Sequence, residues 1–493
     1  MKISINTIMH LKFNKLNTGW GVWHYFVVVL CGLVSFAEAS TSLTVPIVLP
    51  LIECDLKLNR NQAIMPVAIS SFGMAVGAFL FGSISDLVGR KKSISVTMGI
   101  VFCASITLAF AQTNFLIYLS VFMLGLGVAG NNIVLRVYLI ECLPMRKRGT
   151  CLAIIDMFWI VGYLSALGVS WSLMPSVIRM LGKQFRTSSW RVLAALCGMP
   201  SLMMACTSGL LPLSPRHLLY HRRPTQALAV LRHMYAINNS KHADTYPMRN
   251  VEGCVRPDDD TEDDSISKYF TKTWERIHRI HKPPYKCVTL CGILACLLHF
   301  PGFAWLALWN THVLQEMERD HVVSGNGTCN VRVQNLALDF LRSCDEANEA
   351  RFGLLLLVSL GYMLGEMLLV IGIDAIGRRP YLISSGLVGG VVSLILIFRL
   401  FHTIRVILSS IFLAAYAIGR TTTSVLLLEN YPTALRGTAI GLMRVLPHLA
   451  LFATQLFLRT TCLLSIIVAS VILIGAAAVM LPVPDLTRLP MKE

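Results

Sequence analysis

The sequence predicts an all-α polytopic membrane protein with twelve transmembrane helices in two six-helix bundles. Three observations predict it. The 493 residues are 55% hydrophobic and only 14% charged, with a mean hydropathy of +0.63, whereas soluble domains average about 25% charged residues. Apolar runs of about 20 residues, the length a bilayer span needs, recur throughout. Two motifs also repeat at one spacing: DLVGRK at Asp86 returns as DAIGRR at Asp374, and ECLPMRKRGT at Glu141 returns as ENYPTALRGT at Glu429, both 288 residues on. A shared offset points to a duplicated unit.

The spans follow in order. Lys2, Lys12 and Lys15 precede an apolar run from Val22 to Leu51, too long for the apolar core of a cleaved leader, so it reads as the first span. Spans are expected at roughly 22–50, 63–84, 93–111, 115–140, 151–174 and 191–213, then at 287–310, 351–373, 381–400, 406–428, 437–458 and 462–482. The domain reading is a cytoplasmic N-terminus (1–21), an N-terminal bundle (22–213), a central loop (214–284), a C-terminal bundle (285–483) with an outer loop at 311–350, and a C-terminal tail (484–493).

Orientation comes from the basic loops. Arg90-Lys91-Lys92, Arg146-Lys147-Arg148 and Arg378-Arg379 fall on one side, which the positive-inside rule makes cytoplasmic. Both termini and the central loop share that side. The +16 net charge therefore needs no nucleic acid to explain it. In the central loop, residues 266–280 read as a basic amphipathic helix, suited to a membrane surface or to packing against the bundle. The outer loop carries Asn326-Gly327-Thr328, an N-glycosylation acceptor. Asn238-Asn239-Ser240 has the same pattern on the cytoplasmic side and should stay bare. Nine of the fourteen cysteines, Cys31 and Cys151 among them, lie in apolar runs and act as small hydrophobes. Cys329 and Cys344 share the outer loop, where a disulfide would close about 16 residues and contribute on the order of 3 kcal/mol; two free thiols are the other reading. No zinc-ligand spacing and no phosphate-binding G-x-x-x-x-G-K-[ST] occurs, so no cofactor and no ATP-driven chemistry are expected.

The repeated motifs have readable chemistry. Gly89 permits a tight turn, Asp86 can cap a helix or pair with a cation, and Pro144 stops the fourth helix. Glu141 is expected to ion-pair with Arg148 across the turn, and Glu429 with Arg436 in the second half. Asp374 and Arg378 repeat Asp86 and Arg90. These rim charges look like gates that break and reform. Plain anchoring by positive loops is the alternative, and it does not require the acidic partners.

The signature from Gly82 to Lys92 resembles the loop between the second and third helices of the major facilitator superfamily. Met157-Phe158-Trp159, Trp171 to Pro175, Trp190-Arg191-Val192 and Ser214-Pro215-Arg216 are similar to the synaptic vesicle glycoprotein 2 family and the related organic-ion and sugar transporters. The resemblance implies that the rim cluster latches one bundle to the other, and that the first, fourth, seventh and tenth helices line a central cavity. Departures stand beside it. Val121 replaces an arginine of the fourth helix, Leu213 and Ser424 replace acidic residues, and Val370 replaces the first glycine of the second loop signature. The large luminal domain of the vesicle glycoproteins has no counterpart in the outer loop.

Ionisable residues inside spans cost roughly 2.5–3.5 kcal/mol each at the helix centre, so each is a candidate for substrate or coupling-ion binding. They are Glu38, Asp156, His299, Glu366, Arg420 and Arg444. Trp171, similar to the family's cavity tryptophan, joins them as a stacking candidate or as part of an interfacial aromatic belt. Glu38 is the foremost candidate, with a structural ion pair to Arg420 as its other reading. Arg420 and Arg444 could hold a carboxylate in the bidentate manner of arginine. The expected function is secondary transport of a small organic solute, an organic anion among the candidates, driven by its own or a proton gradient. A non-transporting vesicle component or scaffold of the same fold is the alternative. The membrane is the plasma membrane or that of an intracellular vesicle.

Overall fold

The computed structural model describes residues 19–42, 44–45, 52, 60–181, 183–221, 223–248, 266–299, 349–396, 401–457, 462–487 and 489. The acceptor Asn326 and the pair Cys329 and Cys344 lie outside them. Six long helices open the chain: α1 (Val22–Ser42), α2 (Arg60–Val88), α3 (Arg90–Phe110), α4 (Asn114–Cys142), α5 (Arg148–Leu181) and α6 (Lys183–Thr207). Three shorter ones follow in the central loop, α7 (Pro215–Tyr220), α8 (Pro224–Asn239) and α9 (Ile266–Ile280). The second half contains α10 (Lys286–His299), α11 (Glu349–Ile376), α12 (Arg378–Ile395), α13 (His402–Asn430), α14 (Arg436–Phe457) and α15 (Cys462–Val479). A helix thus stands at each of the twelve expected spans. Eight of those described are long and apolar enough to cross a bilayer.

Local chemistry sets the breaks. Gly89 and Gly377 separate α2 from α3 and α11 from α12 with φ of 109° and 106°, a region open to glycine at little cost. Pro144 follows the end of α4. Ser214 accepts a bond from the His217 N–H at 3.2 Å and Pro215 takes the first helical position, so Ser-Pro-Arg is a capped helix start.

The halves meet through two related pairings, α2 with α14 and α5 with α11. The α2–α14 contact is close because glycines face each other there. A Cβ on Gly82 would lie 2.7 Å from the Gly437 carbonyl oxygen, and one on Gly441 would lie 2.5 Å from that of Ala78. At the rim with the basic loops a single buried core runs through both halves, from Val28 and Tyr138 to Val425 and Met443. Towards the opposite end the described core divides. One cluster around Leu108, Leu124 and Trp190 belongs to the first half, and another around Val358 and Phe412 belongs mainly to the second. The bundles are therefore fused at the basic rim.

Helix α9 resolves one of the two readings left open for it. Thr273, Arg276 and Ile280 are buried against the bundle, so packing accounts for one face. Phe270 and Trp274 remain exposed on another.

Candidate functional site

The rim comes first, because the repeated motifs meet there. The Asp86 carboxylate, at the end of α2, accepts bonds from the backbone N–H groups of Gly437 (3.2 Å) and Thr438 (2.8 Å) and from the Thr438 hydroxyl (2.8 Å). Asp374, at the end of α11, accepts from the N–H groups of Gly149 (3.2 Å) and Thr150 (2.7 Å). Each aspartate thus caps the first turn of a helix in the other half, where unpaired N–H groups and the helix dipole favour an anion. The D-x-x-G-R motif of one half docks onto the R-G-T motif of its counterpart, and reciprocally.

Arginines extend the latch. Arg90 lies 2.9 Å from Asp86 and 3.0 Å from Glu141, and donates to the Thr433 carbonyl across the boundary at 2.9 Å. Arg378 repeats this with Asp374 (2.8 Å) and Glu429 (3.0 Å). The expected pairs within each turn are replaced. Glu141 pairs with Arg90 and, at 3.4 Å across the halves, with Arg436, while Ser214 donates to its second oxygen at 2.7 Å. Glu429 pairs with Arg378. Arg148 has no ion-pair partner within 4.0 Å among the described residues; one guanidinium nitrogen donates to the Leu489 carbonyl at 3.4 Å. Helix geometry explains the change, since each arginine begins a helix that runs away from its own glutamate, beside the neighbouring half.

Deeper inside, six of the seven proposed binding residues are buried or lie on the interior. Arg136 of α4 clasps Asp156 of α5 with two bonds, at 2.6 and 3.1 Å. Arg420 of α13 reaches the same carboxylate at 3.1 Å. Its guanidinium sits 5.2 Å from the Trp159 ring and 5.6 Å from the Tyr362 ring, a cation–π arrangement. The Thr421 hydroxyl lies 2.8 Å from Asp156 Oδ2 and 2.7 Å from Glu366 Oε1. Asp156 and Arg136 belong to the first bundle; Glu366, Arg420 and Thr421 belong to the second. This cluster is a second bridge between the halves.

Glu38 stands apart from Arg420. Its two oxygens accept from the side-chain amides of Asn131 (2.7 Å) and Asn132 (2.8 Å), so neutral donors hold it in place of a cation. Two small adjoining cavities lie nearby. One is lined by Asn132, Arg136, Cys296 and Ser424, the other by His299, Tyr416, Arg420 and Thr423, and Arg444 lines both. The lining comes from α4, α10 and α13, three of the four expected cavity helices, with α14 in place of α1. Arg444 donates to the Ser424 hydroxyl at 3.0 Å, so Ser424 serves as an acceptor where the resembled family has an acid. Among the described residues no carboxylate lies within 4.0 Å of Arg444. Trp171 is 42% exposed and lies away from the cluster, about 22 Å along α5 from Asp156 by helical rise. Asn131, Asn132, Thr421 and Tyr362 were missed as site residues. The adjacent asparagines and the Thr421-Thr422-Thr423-Ser424 run, both within apolar helices, were the available signal.

Fold and interior together define a multi-pass membrane protein of the major facilitator class. The chain belongs to the family described as Sugar (and other) transporter, which matches residues 27–326, more than half of it. It is 30% identical over 226 residues to human synaptic vesicle glycoprotein 2A, covering 45% of this chain and 30% of that protein. It is 27% identical over 223 residues to organic cation/carnitine transporter 7 of Arabidopsis thaliana, covering 45% and 42%. The matches span less than half the length of these curated relatives. The fold is shared with the proton:xylose symporter XylE bound to 6-bromo-6-deoxy-D-glucose, at TM-score 0.70 and 16% identity over 95% of this chain and 98% of that one. Against the inward-open xylose transporter XylE from E. coli the TM-score is 0.62 at 16% identity, over 94% and 97%.

Proposed function

We propose that the protein is a secondary transporter that moves a small organic anion across a membrane by alternating access of its two bundles. The observation that carries this reading is Arg444, a buried-cavity guanidinium held by a hydroxyl rather than a carboxylate. A cation in a low-dielectric interior needs a counter-ion. Arg136 and Arg420 already share Asp156, so an anionic solute is the complement that Arg444 lacks. Arginine suits a carboxylate, sulfate or phosphate through paired N–H donors.

Supporting the mechanism, the sealed rim and the cross-bundle bridge are closures that rocking of one half against the other would break. In this reading the basic rim, both termini and the 214–284 segment face the cytoplasm, and the driving force is the solute's own gradient or a proton gradient. The limited match to synaptic vesicle glycoprotein 2A supports a second reading, a non-transporting vesicle component of transporter fold.

The test is ligand-induced thermal stabilisation of the purified full-length chain, using panels of organic anions, cations, sugars and nucleosides. Anions should stabilise it dose-dependently. Arg444→Ala should weaken that effect about 10- to 100-fold, the equivalent of the roughly 1.5–3 kcal/mol of a charged hydrogen bond. Stabilisation by cations or neutral sugars alone would overturn the anion assignment. Silence across all panels would favour the vesicle-component reading.

A further inference from the structure

A donor count at the cross-bundle bridge does not close unless one of its carboxyl groups holds a proton. Thr421 has one hydroxyl hydrogen, yet its oxygen lies 2.8 Å from Asp156 Oδ2 and 2.7 Å from Glu366 Oε1. With both carboxylates ionised, one of these contacts would set lone pair against lone pair. Asp156 already accepts from Arg136 twice and from Arg420 once. Glu366 is fully buried, and its second oxygen has no hydrogen-bond partner among the described residues. An acid at Glu366 satisfies every contact: its Oε1–H donates to Thr421, and Thr421 donates to Asp156.

We infer that Glu366 is a proton-binding site whose occupancy decides whether the two bundles are bridged at this level. This deepens the transport reading above by naming where a coupling proton would sit. With the proton bound, the second bundle's Arg420 and Thr421 are both free to engage Asp156 of the first. When Glu366 gives its proton to water entering the opened interior, it becomes a carboxylate beside Arg420 and Thr421 within its own bundle. Asp156 keeps Arg136 within the other. Each half is then neutral at this pair, so the cross-bundle attraction weakens, and the two carboxylates add a repulsive contribution across the boundary. The other ionisable groups facing Glu366 are few. Tyr362 lies on its own helix and Arg136 comes from α4, while Glu38 of α1, Tyr416 of α13 and Arg444 of α14 neighbour Arg136 and Arg420 rather than Glu366 itself.

Infrared difference spectroscopy of the purified full-length protein over a pH titration tests this without requiring transport. A protonated, buried carboxylic acid gives a carbonyl stretch resolved from amides and carboxylates. One such band, of roughly one residue's intensity, should be present in the wild type and lost in Glu366→Gln. The glutamine amide can still donate to Thr421, so this variant is expected to fold. Thr421→Val should shift the band upward by removing the acceptor of the acid proton; this variant decides the matter if Glu366→Gln does not fold. A band that survives in folded Glu366→Gln, that is unmoved in Thr421→Val, or that vanishes in Glu38→Gln would overturn the assignment. Failure of every solute panel would count against the transport reading and leave the band where it is.

Discussion

Oδ2 of Asp86 lies 2.8 Å from both the backbone nitrogen and the hydroxyl oxygen of Thr438, although the two residues belong to opposite bundles. The related pair, Asp374 and Thr150, keeps the backbone bond at 2.7 Å, and no hydroxyl bond joins it among the described contacts. The Asp86 side chain has no solvent exposure, while that of Asp374 is 11% exposed. The latch is duplicated but unequal.

Asp86→Asn should therefore open the basic rim more than Asp374→Asn. Breaking a buried charge pair costs on the order of 3 kcal/mol, and the more exposed site should cost less. Cys142 and Cys151 are buried beside the latch and make native reporters. Their alkylation rates, mapped by peptide mass spectrometry, should rise most in Asp86→Asn. Equal rates in the two variants would sink the asymmetry.

The two R-G-T arginines should respond differently to loss of charge. Arg436 donates to the Leu428 carbonyl (3.0 Å), the Tyr431 carbonyl (2.8 Å) and Glu141 (3.4 Å). Arg148, equally buried, leaves two of its nitrogens without a hydrogen-bond partner among the described residues. Arg436→Met should lower stability by about 3 kcal/mol, because it strands buried acceptors. Arg148→Met should be close to neutral or stabilising, because it removes a desolvated charge. Thermal melting in detergent compares them, and a larger loss in Arg148→Met would contradict the contact pattern.

Mild acid should loosen the cap beneath the latch. Burial pushes the pKa of His217, on α7, down to about 2, and the nearby Arg90, His221, Arg276 and Arg223 lower it further. Burial lowers that of His221 as well, opposed by its contact with the Asp86 carbonyl. A histidine depressed in the folded state takes up a proton only on unfolding. Its stabilising contribution is full above the unfolded value near 6.5 and drains away as pH falls from there toward the folded value. The melting temperature of the wild type should drop between about pH 7.5 and about pH 5 more than that of His217→Gln. Parallel curves would show that α7 carries no such linkage.

Much of the architecture was legible from the sequence, for a physical reason. A bilayer imposes its thickness on every span and sorts positive loops to one side, so twelve apolar runs and a few basic clusters mark the helices locally. The 288-residue offset exposed the duplication, and glycine at 89 and 377 announced turns that need positive φ. The chemistry of the rim residues was also local. An aspartate after a helix and an R-G-T at a helix start each advertise a capping capability.

Partner choice was not local. Glu141 reads most simply as a partner for Arg148, seven residues on, yet it pairs with Arg90 and Arg436. Asp156 and Glu366 stand far apart in sequence and share the Thr421 hydroxyl in space, and Arg420 reaches the same Asp156. Glu38 resembles half of an ion pair and is held by two amides. Residue types and spacings determined that this chain has two related bundles, a rim rich in paired charge and ionisable groups inside the membrane. Only the tertiary structure decided which charges meet, because the meetings occur between helices of opposite bundles. Their approach depends on the glycine-lined α2–α14 contact and on burial from both sides, and no single stretch of sequence encodes either.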